Sequence, residues 1–214
     1  MMKKKTYLKS LGVGGIALLC LCLTTFAGQT LQNGDFSAGL SHWDVEYGSV
    51  TDGGGYALFQ EHPVDYSSTL SQGFTIPALA LDLCFDVMMS YEAGGPYDQF
   101  APPDAFLGSL YDSDGNPLFA NPLGVDEFYY LDNASIVDTT GTLIGNTVRL
   151  DVSSLAGQDV LLVFDLWSSY DGMTTTVNLD NVDITVIPAP GAVLLVLIGL
   201  GIVALRHRFV RQKE

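Results

Sequence analysis

Leu81-Asp82-Leu83-Cys84-Phe85-Asp86-Val87-Met88-Met89 decides the fold class. Leu81, Leu83, Phe85, Val87 and Met89 fall on one side of a period-two pattern, and Asp82, Cys84, Asp86 and Met88 on the other. Successive side chains of a strand point to opposite faces, so this stretch is predicted as one long half-buried β-strand. Working outward, Val148-Arg149-Leu150-Asp151-Val152 repeats the pattern. Val160 to Trp167 (VLLVFDLW) is nearly all apolar and is predicted as a central strand covered on both faces. Thr174 to Val186 is predicted as a long final strand. Val177 and Leu179 share one face there, and Val182, Ile184 and Val186 then take the opposite phase, which calls for a bulge near Asp180-Asn181. Shorter strands are predicted over Tyr56–Phe59, Ser68–Ile76, Phe106–Tyr111 and Glu127–Leu131.

Between the strands stand turn signals: Asp52-Gly53-Gly54-Gly55, Gly94-Gly95-Pro96, Asp114-Gly115-Asn116-Pro117 and Asp171-Gly172. No helical period appears in this region beyond one short turn at Ser153–Gly157. The pattern predicts an all-β domain of about eight strands, an antiparallel two-sheet β-sandwich of jelly-roll type.

The two ends read differently. Residues 1–10 carry Lys3, Lys4, Lys5 and Lys9, and Leu11 to Phe26 carries no charge. Thr25-Phe26-Ala27 follows with small residues where a signal peptidase reads, so residues 1–27 are expected to be a helical signal peptide. At the other end, Gly191 to Leu205 is an apolar run expected to be a single transmembrane helix. As a helix it is roughly 22 Å long, short for the apolar core of a bilayer. Arg206, His207, Arg208, Arg211 and Lys213 follow it, and such a basic end stays on the cytoplasmic side. The expected organisation is signal peptide 1–27, extracytoplasmic domain 28–187 and membrane tail 188–214.

Charge sharpens this division. The 214 residues hold 24 acids and 9 bases, a net charge of −15. All bases but Arg149 lie in the ends, and all acids but Glu214 lie in 28–187, which therefore has a net charge of −22. Such a domain repels anionic polymers, and nucleic acid is excluded as a partner. Within it Cys84 is the lone cysteine, so no disulfide forms inside the domain, and its place in an apolar alternation makes it a packing residue.

The stretch IPAPGAVLLVLIGLGIVALRHRF resembles a PEP-CTERM sorting tail. Pro188, Pro190 and Gly191 fit its Pro-x-Pro motif, Leu194 to Leu205 its apolar helix, and Arg206 and Arg208 its basic stop. Ala189 stands where that family usually has Glu, and His207 interrupts the Arg cluster. The resemblance implies recognition and cutting near Pro188-Ala189-Pro190 by an exosortase-like membrane enzyme. It also implies passage through the inner membrane as a single-pass intermediate and delivery to a cell surface rich in exopolysaccharide. The two prolines suit this role because they hold the backbone extended. The alternative is a plain anchor that is never cut.

A second resemblance lies at the borders of the domain. Asn33-Gly34-Asp35-Phe36 with Gly39-Leu40 and Trp43, and Val148–Gly157 through Leu179-Asp180-Asn181-Val182, are similar to the first and last strands of carbohydrate-binding-module and galactose-binding-like jelly rolls. That likeness implies a structural Ca2+ joining first strand to last, held by Asp35 and Asp180. The other oxygen-rich loop, Asp112-Ser113-Asp114-Gly115-Asn116, reads as an Asx turn before a calcium loop.

Sugar binding needs exposed aromatics beside polar groups. Tyr91 and Tyr97 flank the Gly94-Gly95-Pro96 loop and, with Trp167, are the candidate ligand-binding residues; Trp43, Tyr47 and Tyr170 are further aromatics of this kind. Trp43 and Trp167 each read first as core plugs. Catalysis has thin support: His42 and His62 have no metal-ligand spacing and no Gly-x-Ser-x-Gly is present. The expectation is a non-enzymatic surface or matrix protein, with a carbohydrate-binding module as the alternative and a secreted hydrolase behind both.

Overall fold

The computed structural model describes residues 30–62, 65–93, 102–120, 126–134, 136–169 and 173–187. The expected signal peptide and sorting tail lie outside these. Among the described residues, twelve strands form two antiparallel six-stranded sheets. Sheet A runs β1 (Asp44–Tyr47), β4 (Ser67–Thr75), β11 (Asp159–Trp167), β6 (Ala105–Asp112), β7 (Tyr129–Asp132), β8 (Val137–Thr139). Sheet B runs β2 (Ser49–Asp52), β3 (Ala57–Gln60), β12 (Met173–Val186), β5 (Ala80–Ala93), β10 (Thr147–Asp151), β9 (Thr142–Ile144). A single 3-10 turn, Ser153–Leu155, is the one helical piece described, where the sequence placed a short turn. No helix among the described residues is long and apolar enough to cross a membrane.

The alternation in the sequence becomes the two-layer core. From β5, Leu83, Phe85 and Val87 point inward, and from β11, Val160, Leu162, Phe164 and Leu166 do the same. Phe164 sits at the centre, 5.0 Å from Phe85 and 5.9 Å from Phe106, ring centre to ring centre. Phe85 meets Tyr129 edge-on at 5.5 Å, an arrangement that aligns ring edge with ring face.

The bulge near Asp180-Asn181 is present. The β12–β5 register slips between Asp180 and Asp183, and Asn181 takes a φ of 52°. An extra residue there lets Val177 and Leu179 before it, and Val182 and Ile184 after it, all face the core. A second slip lies between Ile184 and Val186. It turns Leu81 and Val186 outward, to 39% and 48% exposed, and both were expected inside. Another expectation also needs correcting. β11 is central in its sheet, but its outer residues Leu161, Val163 and Asp165 are only half-buried, so its second face is not covered by another layer.

The Asn33–Trp43 segment is a strap knotted around one amide. Asn33 Nδ2 donates to the carbonyls of Gly39 (2.8 Å) and Ser41 (2.9 Å), and its Oδ1 accepts from Ala38 N–H (3.0 Å). Trp43, 6% exposed, donates Nε1–H to Asn33 O and stacks on Phe36 at 5.4 Å, so it is the core plug expected. The strap is tied to the last strand by Val182 N–H donating to Gly34 O at 2.9 Å.

Deep at one end, Asp104 is wholly buried just ahead of β6 and links both layers. It accepts from Ser169 N–H (2.6 Å), the Thr175 hydroxyl of β12 (2.6 Å) and Asn133 Nδ2 (3.3 Å). Three donors make the burial of a carboxylate tolerable where no cation is at hand.

A Cβ at Gly34 would lie 1.7 Å from Val182 O, whereas at Gly54, with φ of 83°, it would meet nothing within 4 Å. Gly34→Ala is therefore expected to cost about 2–3 kcal/mol by breaking the strap, and Gly54→Ala about 1 kcal/mol from backbone conformation alone. Thermal melts of the two variants check this; equal losses would show that the strap is not a fixed point of the fold.

Candidate functional site

The solvent face of sheet A is the candidate site, and its composition follows from the strand register. On β11 the residues that do not face the core are Leu161, Val163, Asp165 and Trp167. Asp165 lies opposite Thr69 of β4 on one side and Leu107 of β6 on the other. Trp167 lies opposite Ser67 and Ala105. Continuing across, Ser109 and Tyr111 share this face on β6, and Tyr130 shares it on β7, opposite Leu107. Glu46 of β1 reaches over from the far edge to accept from the Ser71 hydroxyl at 2.9 Å.

Asp165 is the focus. Its Oδ1 accepts from the hydroxyls of Ser67 and Thr69, the latter at 3.2 Å. Its Oδ2 has no partner among the described residues. Burial pushes the Asp165 carboxyl up from its ordinary value, the two hydroxyls oppose this, and Glu46 adds repulsion. Burial likewise raises Tyr111, with Glu127, Asp126 and Asp165 adding to the effect. It raises Glu127 too, with Asp126 and Asp165 contributing. Among the described residues these acids have no counter-ion, since none of the six strands of sheet A carries Lys, Arg or His. Beside this cluster Trp167 is 43% exposed, two residues along the same strand face and thus about 6.5 Å from Asp165. Trp167 is therefore not the core plug its apolar neighbours suggested. A strand-end tryptophan next to hydroxyls and a carboxylate offers a flat apolar surface bordered by hydrogen-bonding groups.

The other candidate residues go elsewhere. Tyr91, 45% exposed, stands at the far end of β5 on its core-facing side. It lines a cavity of about 230 Å³ at the mouth between the layers, with Met89, Leu131, Val137 and Leu143. Tyr91 and Trp167 thus do not share a surface. Tyr97 and Tyr170 lie outside the described residues, as do Pro188, Ala189, Pro190, Gly191, Arg206 and Arg208.

The strap segment that holds Asp35 and the β12 bulge that begins at Asp180 cross where Val182 N–H donates to Gly34 O. Asp35 Oδ1 accepts from Ser37 N–H (3.2 Å), and Asp180 Oδ1 from Asn181 N–H (2.6 Å). No group of three metal-ligating side chains forms among the described residues. Two carboxylates fall well short of the six to eight oxygens that calcium takes, so the side chains alone do not build a site for it. The crossing borders a cleft of about 610 Å³ on the outer face of sheet B, lined by Asp35, Cys84, Asp86, Arg149 and Asn181. Cys84 is buried in the sheet, as expected for a packing residue, and burial raises its thiol. The Asp112 loop is the Asx turn expected: Asp112 Oδ1 accepts from the N–H groups of Asp114 (2.9 Å) and Asn116 (2.8 Å). Hydrogen bonds from Asn116 hold its carboxyl below the usual range.

No family model matches this chain, and no curated protein matches it. Among solved structures, a carbohydrate-binding module described as TmCBM61 in complex with beta-1,4-galactotriose is 16% identical, with 74% of this chain and 99% of that one covered and a TM-score of 0.42. A non-crystalline cellulose specific carbohydrate-binding module, CBM28, is 13% identical, with 75% and 97% covered and a TM-score of 0.37. The enzymatically active domain of bacteriophage CBA120 tailspike protein 4 is 14% identical, with a TM-score of 0.41; 74% of this chain is covered, spanning about a fifth (21%) of that one. At these identities and TM-scores none of the three assigns a ligand or an activity to this chain.

The raised Asp165 carboxyl has a consequence for stability. Above its folded value the group is ionised in both states, and burial then opposes folding; below the ordinary carboxylate range it is neutral in both, and the penalty is gone. Asp165→Asn keeps the Oδ1 acceptor and removes the charge. It is expected to raise stability at pH 7 by about 1 kcal/mol, or roughly 2–4 °C in Tm, with the gain fading as the pH falls through the carboxylate range. Equal melting points for variant and wild type at pH 7 would show that the carboxylate carries no such penalty.

Proposed function

We propose that this protein is an exported, non-enzymatic β-sandwich that binds a saccharide on the solvent face of sheet A and acts at the cell surface or in the extracellular matrix. The observation that carries this reading is the exposed Trp167 beside the Asp165–Ser67–Thr69 cluster. A sugar ring presents an apolar face to stack on an indole and an equatorial rim of hydroxyls to pair with carboxylate and hydroxyl oxygens. Asp165 Oδ2, Tyr111 and Tyr130 supply that rim across β11, β6 and β7, with the buried Ser109 holding Tyr111. The half-buried Leu161, Val163 and Leu107 form the apolar floor between them.

Delivery is assigned to the ends of the chain. The basic and apolar residues 1–27 direct export, and the Pro188-Ala189-Pro190 motif with its helix and basic end engages an exosortase-like enzyme at the inner membrane. Calcium bracing at the Asp35–Asp180 crossing belongs to this proposal as a separate element, with backbone oxygens completing the set.

Affinity electrophoresis of the full-length protein against a panel of soluble polysaccharides tests the binding claim. Trp167→Ala is expected to weaken binding at least about tenfold, or ~1.4 kcal/mol, while Tyr91→Ala, in the separate slot, leaves it unchanged. Loss with Tyr91→Ala alone would move the site to the mouth between the layers. For the tail, replacing Pro188 and Pro190 by Ala is expected to keep the full-length chain in the membrane fraction; release equal to wild type removes the sorting claim. Chelation is expected to lower Tm by several degrees if calcium braces the crossing, and an unchanged melt in EDTA removes that element.

A further inference from the structure

The charge of the sheet A face narrows the ligand class. Glu46 from the β1 edge and Glu127 ahead of β7 each act on Asp165 from opposite sides, and Asp159 and Asp138 extend the same face on β11 and β8. The lone Arg or Lys among the described residues, Arg149, is on β10 of the other sheet, opposite Cys84. A uronate or sulfated sugar laid against this face would add charge of the same sign with nothing to offset it. A neutral sugar would leave the half-buried Asp165 with its repulsion from Glu46 intact. A cationic group would satisfy the Oδ2 that has no partner and relieve that repulsion together, through a charge-assisted hydrogen bond.

We propose that the sheet A face selects a saccharide bearing a free primary amine, a de-N-acetylated amino sugar, whose ammonium donates to Asp165 Oδ2 while its ring lies on Trp167. This rests on the saccharide reading above and adds to it the chemical class of the ligand. The hydroxyls of Ser67 and Thr69 are the positioning groups: both donate to Oδ1 and so leave Oδ2 as the open acceptor. Glu46 and Glu127 reinforce the preference through their field without needing contact.

The test is calorimetric titration of the full-length protein in detergent, in 0.15 M NaCl, with three hexasaccharides: β-1,4-glucosamine, β-1,4-N-acetylglucosamine and galacturonate. The glucosamine hexamer is expected to bind at least tenfold tighter than its acetylated counterpart, and the galacturonate hexamer is expected not to bind. Asp165→Asn is expected to reduce the tenfold preference to near unity. Asp183→Asn, which removes the same charge from the outer face of sheet B, is expected to leave it intact. If the acetylated hexamer binds as tightly as the amine, the class assigned here is wrong while the saccharide reading stands. If none of the three hexamers and none of the neutral polysaccharides binds, the saccharide reading itself fails. An equal loss with Asp183→Asn would trace the preference to the overall charge of the domain and overturn the contact. Hexalysine bound as tightly as the glucosamine hexamer, with the same Asp165 dependence, would overturn the selection for a sugar. The comparison of amine with acetyl in the wild type stands whether or not Asp165→Asn folds.

Discussion

Scarcity of cations governs this domain. Twenty-three acids share one arginine between residues 28 and 187, so carboxylates must be satisfied by neutral donors. The structure does this repeatedly. Asp104 takes a hydroxyl, an amide and a backbone N–H; Asp159 takes the Thr75 hydroxyl at 2.5 Å; Asp86 takes Asn181 Nδ2 at 2.9 Å; Asp52 and Asp151 take backbone N–H groups two residues ahead. This explains the hydroxyl-rich composition of β4 (SSTLSQGFT) and the Thr run of β12, which a strand built for packing alone would not need. A charged acceptor strengthens a hydrogen bond from a neutral donor, so these carboxylates are held by neutral groups alone. Asp165 is the place where it falls short, with one oxygen served and one left open, and the candidate site is built around that shortfall.

The long strands were legible because their alternation is enforced by burial. β5 and β12 each have one face on the core for most of their length, and the phase change at Asp180-Asn181 marks the bulge in the sequence itself. The four strands that went unread are short and lie at the sheet edges: β1 (DVEY) and β9 (TLI) are exposed throughout, β2 (SVTD) buries only Val50, and β8 (VDT) buries no residue. With at most one residue held in the core, such a strand leaves no period to detect. Leu81 and Val186 were misplaced because the second register slip falls beyond the stretch where the alternation is clean.

The candidate site was less legible than the fold. VLLVFDLW looks like a strand buried on both sides, and its Asp165 breaks that run. That single carboxylate, together with the alternate hydroxyls of Ser67, Thr69 and Ser71, was the available signal that one face of the sheet is wet. What the chain order could not convey was the lateral register that puts Asp165 between Thr69 and Leu107 and puts Ser67 across from Trp167. Tyr91 was singled out for its nearness to a glycine-rich loop, but facing direction on β5 sends it between the layers.

The bond from Val182 to Gly34 has an implication for biogenesis. The Asn33–Trp43 strap is fastened by β12, which also sits in the middle of its sheet, between β3 and β5. A nascent chain therefore cannot finish either the strap or sheet B until β12 has been made, with Val182 lying 148 residues after Gly34 (182 − 34), and pairings this remote in sequence close slowly. Through that interval the strongly like-charged intermediate is held apart from its neighbours by mutual repulsion, a form of protection that does not require a chaperone to recognise it.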